Sequence, residues 1–415
     1  MFGLNPYQSV ILVAGLSAGI YMAWNIGAND VANSMSTAVG AGAITYKQAI
    51  IIASILTVAG AVLVGEHVTG TVKGDIFDSS TIDSKHLALG GLAAVTAAGI
   101  WVTIATWKSL PISTSHSIIG GMMGFGLVAG GPSIISWFTL GKVVLSWVTS
   151  PIFGAILAFI IFKIIVKLIF DSDDSYESAR KYTPYFLGAT FFIITLSLFL
   201  DTALAVKIFG RHLAIYEALI ISAAVGGSIG LLGKHWILRG IEKGEDYEGV
   251  ENIFRNLQII TSCFVAFSHG ANDVANAIGP LLLIVENTIP KESFPWFLGG
   301  NYLLLMGGIG IAVGISTWGY KVIKTVGFKV TKLTNTRGFS VDFGAATTIL
   351  AASKLGMPIS TSHTVVGAVF GVGLARGLEA IDLSVIKRII ISWIITVPIA
   401  AASCVFLYLG FLQIT

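Results

Sequence analysis

Charge is scarce in this sequence. Only 11% of its 415 residues are Asp, Glu, Lys or Arg, against about 25% in soluble domains. Hydrophobic residues make up 54% and mean hydropathy is +0.84, so a polytopic membrane protein fits better than a soluble enzyme with a large core. The formal net charge is only +3, and no Lys/Arg run with interleaved aromatics occurs, which removes nucleic-acid binding. There are only two cysteines, Cys263 and Cys404. Both lie in apolar runs, and they offer neither a disulfide framework nor metal-ligand spacing. A basic n-region and a small-residue cleavage site are also missing near the start, so residues 8–28 are expected to stay in the mature chain.

What is present is a repeat. Gly27-Ala28-Asn29-Asp30-Val31-Ala32-Asn33 returns unchanged as Gly270-Ala271-Asn272-Asp273-Val274-Ala275-Asn276, 243 residues later. Pro111-Ile112-Ser113-Thr114-Ser115-His116 returns as Pro358-Ile359-Ser360-Thr361-Ser362-His363, at an offset of 247. The same offset of 247 relates Gly120, Gly124 and Gly126 to Gly367, Gly371 and Gly373, and Pro151 to Pro398. The duplication divides the chain into a first repeat (1–170), a linker with two plain crossings at 185–203 and 212–232 (171–250), and a second repeat (251–415).

A spanning helix needs about 20 apolar residues. Residues 8–40 exceed that and predict one crossing broken near Gly27; 48–65, 134–165, 251–283, 296–317 and 385–412 predict further crossings. In 87–130 and 344–377 a polar tip interrupts an apolar run, and a proline followed by Ser and Thr is a helix start. These two segments read as re-entrant helical hairpins, whose irregular backbone is tolerated only against protein or a watery cavity. The loop 66–86 carries Glu66, Asp75, Asp78 and Asp83, whereas its counterpart 318–337 carries Lys321, Lys324, Lys329, Lys332 and Arg337 and no acid. Basic loops stay cytoplasmic, which places the halves upside down relative to each other and both termini outside. The fold class is thus an all-α polytopic membrane protein of two inverted-topology repeats, with broken helices, two re-entrant hairpins and roughly a dozen helical segments.

Inverted repeats with broken helices are a recurrent design for secondary transporters working by alternating access. The tips Ser113, Thr114, Ser115 and Ser360, Thr361, Ser362 suit an oxyanion, because hydroxyls join the free N–H groups and positive end of a helix N-terminus. The plain structural alternative is that they only cap two buried helices. Asn29, Asp30, Asn33 and Asn272, Asp273, Asn276 suit a small cation or a proton, because they offer side-chain oxygens and an intramembrane carboxylate, a functional hypothesis by default. Helix-to-helix polar contact is the alternative there. Ile26 is matched by His269, which breaks the symmetry and reads first as a neutral, hydrogen-bonded histidine. His116 and His363 either meet the anion or orient the serines. The Gly-x-x-x-Gly spacings read as close helix packing.

Two such signatures with two Pro-x-Ser-Thr-Ser-His tips resemble the inorganic phosphate transporter (PiT) family over nearly the whole chain. The resemblance implies symport of inorganic phosphate with sodium, or with protons in some members, and a homodimer in the cell membrane. It implies sodium-binding groups at Asn29, Asp30, Asn33, Asn272, Asp273 and Asn276. It implies phosphate-binding groups at Ser113, Thr114, Ser115, Ser360, Thr361 and Ser362. Sodium is then a co-transported ion and no cofactor is expected. The short loop 233–250, in place of a large one, implies a prokaryotic member. Some relatives carry sulfate. An anion channel, and a membrane enzyme using Ser113 or Ser115 with His116, are the other classes; two inverted copies give an enzyme no advantage.

Overall fold

A computed structural model describes residues 4–414 apart from 109, 111, 201, 239–245, 291–294, 296–297, 324–332 and 378–382. Among the described residues there are fifteen α-helices and no β-strand. The first half holds α1 (Pro6–Gly40), α2 (Tyr46–Val64), α3 (Glu66–Gly70), α4 (Ser84–Trp107), α5 (Thr114–Gly130) and α6 (Trp137–Ile165). Then come α7 (Ser175–Phe199), α8 (Ala203–Phe209) and α9 (Ile215–Ile237). The second half holds α10 (Asp246–Asp273), α11 (Ala275–Thr288), α12 (Gly300–Trp318), α13 (Asn335–Lys354), α14 (Thr361–Arg376) and α15 (Leu383–Ile414).

Capping side chains start these helices, at the tips as expected. Asn5 with Gln8, and Thr45 with Gln48, form capping boxes before α1 and α2. Asp83 caps α4, while Ser113 and Ser360 cap α5 and α14. Eight helices are long and apolar enough to cross a membrane among the described residues, and the protein is a multi-pass membrane protein. Several helices outrun their apolar runs. α7 starts at Ser175 and α13 at Asn335, inside segments expected to be loops. Hydropathy marks where a helix becomes apolar, and the helix itself has no reason to stop there. Lys324, Lys329 and Lys332, which carry the orientation argument, and Pro111 lie outside the described residues.

The expected break near Gly27 is absent: α1 runs unbroken from Pro6 to Gly40. The second copy is interrupted, but at Val274 between α10 and α11 and not at Gly270. Gly27 has a packing role. A Cβ there would lie 1.9 Å from the carbonyl oxygen of Ile311 in α12, and one on Gly270 would lie 2.0 Å from that of Thr57 in α2. Without a hydrophobic force between helices in lipid, such backbone approach is what holds them together.

The halves interlock. α1 packs on α12 and α10 on α2, so each signature helix leans on the other half. α6 packs on α13 and α14, and α15 on α4 and α5. Gly367 and Gly371 meet the backbone of Pro151 and Ala155, as Gly120 and Gly124 meet that of Val397 and Ala401. Close packing is therefore what those two Gly-x-x-x-Gly pairs provide. Pro151 and Pro398 each sit inside one helix, α6 and α15.

Candidate functional site

Both signatures and both tips meet in one buried cluster. Ser113, Thr114, Ser115, Ser360, Thr361 and Ser362 are all buried, as are Asn29, Asp30, Asn33, Asn272, Asp273 and Asn276. Each aspartate holds the tip of its own half: Thr114 Oγ1 donates to Asp30 Oδ2 at 2.7 Å, and Thr361 Oγ1 to Asp273 Oδ2 at 2.8 Å. The second asparagine of each signature reaches the opposite tip. Asn33 Nδ2 donates to Ser362 Oγ at 2.8 Å, and Asn276 Nδ2 to Ser115 Oγ at 3.0 Å. The tips also touch each other, since Ser115 Oγ donates to the Ile359 carbonyl at 2.8 Å and Ser362 Oγ to the Ile112 carbonyl at 3.4 Å.

The first asparagines are spent on tip backbone. Asn29 Nδ2 donates to Thr106 Oγ1 at 2.8 Å and the Leu110 carbonyl at 3.2 Å, while its Oδ1 accepts from Ile112 N at 3.3 Å. Asn272 Nδ2 donates to Ser353 Oγ at 3.1 Å and the Met357 carbonyl at 3.3 Å. Ser113 and Ser360 act as caps, accepting from His116 N and His363 N at 3.2 Å. The first serine of each tip thus caps its helix, and its own O–H remains a donor. The N–H groups of Thr114, Ser115, Thr361 and Ser362 open their helices, where no intrahelical acceptor exists.

The two carboxylates converge. One oxygen each of Asp30 and Asp273, with a ring nitrogen of His269, lie within 4.8 Å of one another, and all three residues are buried. His269 Nε2 is 3.1 Å from Asp273 Oδ2. Asn272 Oδ1, Asp273 Oδ1 and Asn276 Oδ1 are buried with no hydrogen-bond donor. Orphaned buried oxygens of this kind call for a partner, and a carboxylate with amide oxygens is the donor set that hard cations take. The residues therefore fit a small cation. Chemically, the cluster can place a cation between two carboxylates and an oxyanion at two helix N-termini beside it.

The model of the phosphate transporter family matches residues 26–404. The chain belongs to that family. A protein provisionally named phosphate permease in Pyrococcus abyssi is 48% identical over 398 residues, covering 96% of each chain. A phosphate permease of Haemophilus influenzae, also provisionally named, is 43% identical, covering 98% of this chain and 97% of its own. The chloroplastic inorganic phosphate transporter 2-1 of Arabidopsis thaliana is 39% identical and is covered to 72%. Among solved structures, a sodium-dependent phosphate transporter is 43% identical with a TM-score of 0.89, covering 98% of this chain and 100% of its own. This phosphate transporter family member is therefore a transporter and not an enzyme.

One polar cluster of the transporter escaped sequence reasoning. Asp342 in α13 is buried, and accepts from Thr37 Oγ1 at 2.8 Å and from Ser262 Oγ at 2.5 Å, tying α1, α10 and α13 together. It fell just outside the hairpin expected to begin at 344; the available signal was an acid between Val341 and Phe343. At the 247 offset its counterpart is Val95, so the cluster belongs to one half only. Asp342→Asn keeps the shape but puts an NH2 group where one acceptor oxygen stood, so one of the two hydroxyl hydrogen bonds is lost, at about 0.5–1.5 kcal/mol. A lower thermal unfolding midpoint of the detergent-solubilised transporter is expected; an unchanged midpoint would remove Asp342 from the set of stabilising residues.

Proposed function

We propose that this transporter imports inorganic phosphate by symport with sodium. The orphaned oxygens Asn272 Oδ1, Asp273 Oδ1 and Asn276 Oδ1, beside the converging Asp30 and Asp273, support this most strongly. Sodium held there offsets repulsion between two buried carboxylates, which at about 4 Å and an effective dielectric of 20 is about 4 kcal/mol. The same cation compensates the charge of phosphate bound at the tips. The phosphate ligands in this reading are the N–H groups opening α5 and α14, with hydroxyls of Thr114, Ser115, Thr361 and Ser362 that exchange their present acceptors for phosphate oxygens. Phosphate accepts hydrogen bonds, so Asn33 and Asn276 serve as donors at this boundary.

The 1–170 and 251–415 units are read as inverted repeats around a midplane site, with both termini outside the plasma membrane and alternating access between the faces. A homodimer completes the reading. Labelled-phosphate counterflow in proteoliposomes, with and without a sodium gradient, tests the coupling. Faster uptake with inward sodium is expected; equal uptake in both conditions removes sodium as the driver. One observation favours proton coupling instead: His269 beside Asp273 places a proton-carrying ring in the cluster. Uptake driven by a pH gradient in sodium-free buffer distinguishes this second reading.

A further inference from the structure

Beside the two tips, α6 and α15 leave a cleft of about 580 Å³ between them. That volume is within the range of about 300–1,000 Å³ typical of ligand sites. Some of its lining residues are related by the 247 offset: Pro151 with Pro398, and His116 with His363. The two imidazoles form the floor, with ring centroids 4.4 Å apart. Every other lining residue is apolar, apart from the indole of Trp147, which lies over His116 with centroids 3.8 Å apart and donates to the Pro358 carbonyl.

The surroundings of the mouth identify the occupant. Val148 is 57% exposed, Ile152 52% and Ile394 68%, so the cleft opens onto bare apolar faces of two spanning helices. Pro151 lies halfway along α6 and Pro398 halfway along α15. Pro151 also lies deep inside the apolar span Trp137–Phe170, where the medium outside is hydrocarbon, without headgroups and without water. An open cleft at that depth with a mainly apolar lining gains nothing from water. Among the described residues, no charged or amide side chain lines it that could select a headgroup.

We propose that this cleft is a binding site for a single acyl chain of a bilayer lipid, with the chain end resting on the His116–His363 pair. The backbone N–H groups of those histidines donate to Ser113 Oγ and Ser360 Oγ, the caps of the two tip helices. On the functional reading above, the bound chain backs the anion site and couples it to the bilayer.

The test uses the full chain in phosphatidylcholine vesicles doped with a phosphatidylcholine that carries a photoactivatable diazirine near the end of one chain. Cross-linked peptides are mapped by mass spectrometry. Labelling is expected to concentrate around Val148–Ile152 and Ile394–Pro398, above that of Leu231 and Leu232, which are 70% and 76% exposed on α9. Val148→Trp, which fills the cleft from one wall, is expected to remove most of the labelling at Ile394–Pro398 and leave α9 unchanged. Ile394→Trp does the same from the other wall. Labelling that neither variant changes indicates boundary lipid only and overturns the proposal. So do cross-links between two copies across these residues in place of chain labelling. Should a variant not fold, the wild-type ratio of cleft to α9 labelling decides: a ratio above one supports the site, and one or less overturns it. Loss of the phosphate reading, seen as no uptake by the wild type, leaves this labelling pattern unaffected.

Discussion

Asp30→Asn and Asp273→Asn are each expected to abolish sodium-driven phosphate uptake while the protein still folds. Asparagine keeps an oxygen to accept from Thr114 or Thr361, whose bonds to the carboxylates measure 2.7 and 2.8 Å. It removes the charge that attracts the cation. Losing one charge-assisted interaction of about 1.5–3 kcal/mol corresponds to about a 10- to 100-fold weaker site, with each 1.4 kcal/mol worth tenfold. The two variants should differ. Asp273 neighbours His269, whereas the position matching His269 in the first signature is Ile26. Asp273→Asn therefore also strips a buried imidazole of its carboxylate and is expected to lower stability more than Asp30→Asn. Phosphate binding in sodium-free buffer should be retained in both, since a negative charge beside the tips has been removed. Binding of phosphate that sodium still enhances to the wild-type extent in both variants would sink the assignment of the signatures to the cation.

Gly27→Ala and Gly270→Ala are expected to disrupt folding, a large effect for one methyl group. The added carbon would meet main-chain oxygen at 1.9 Å and 2.0 Å, with no flexible side chain to yield. The helix pairs α1–α12 and α10–α2 must then separate. Overpacking costs about 1–3 kcal/mol where the surroundings can relax, and more where they cannot. Both variants should give little monodisperse protein on size-exclusion chromatography. Gly42→Ala is a milder comparison: that glycine has φ +74° in the turn after α1, but nothing surrounds its missing Cβ. Normal yield of Gly27→Ala would remove close backbone packing as the role of this glycine.

How far the sequence reaches depends on the kind of interaction involved. Helix starts were legible because a capping side chain bonds three residues away, as Ser113 and Ser360 do with His116 N and His363 N. The membrane class was legible because lipid tolerates few charges. Asn29, Asp30, Asn33, the tips and their repeats stood out because each polar residue is costly to bury alone and occurs in two identical copies, but that they meet in one cluster was for the structure to show. Asp342 was not legible, because its partners Thr37 and Ser262 come from helices that only the fold brings together.

The sequence by itself determined a duplicated, helical membrane protein of the phosphate transporter family, with two carboxylate-bearing signatures and two hydroxyl-rich tips. Tertiary structure decided how these parts are wired. Asp30 serves its own tip while Asn33 serves the opposite one, α1 runs straight past Gly27, and a cleft remains between α6 and α15. The physical reason is range. Hydropathy and capping act over a few residues, but a hydrogen bond from Asn33 to Ser362 joins groups 329 positions apart, and only the packing of whole helices sets that distance.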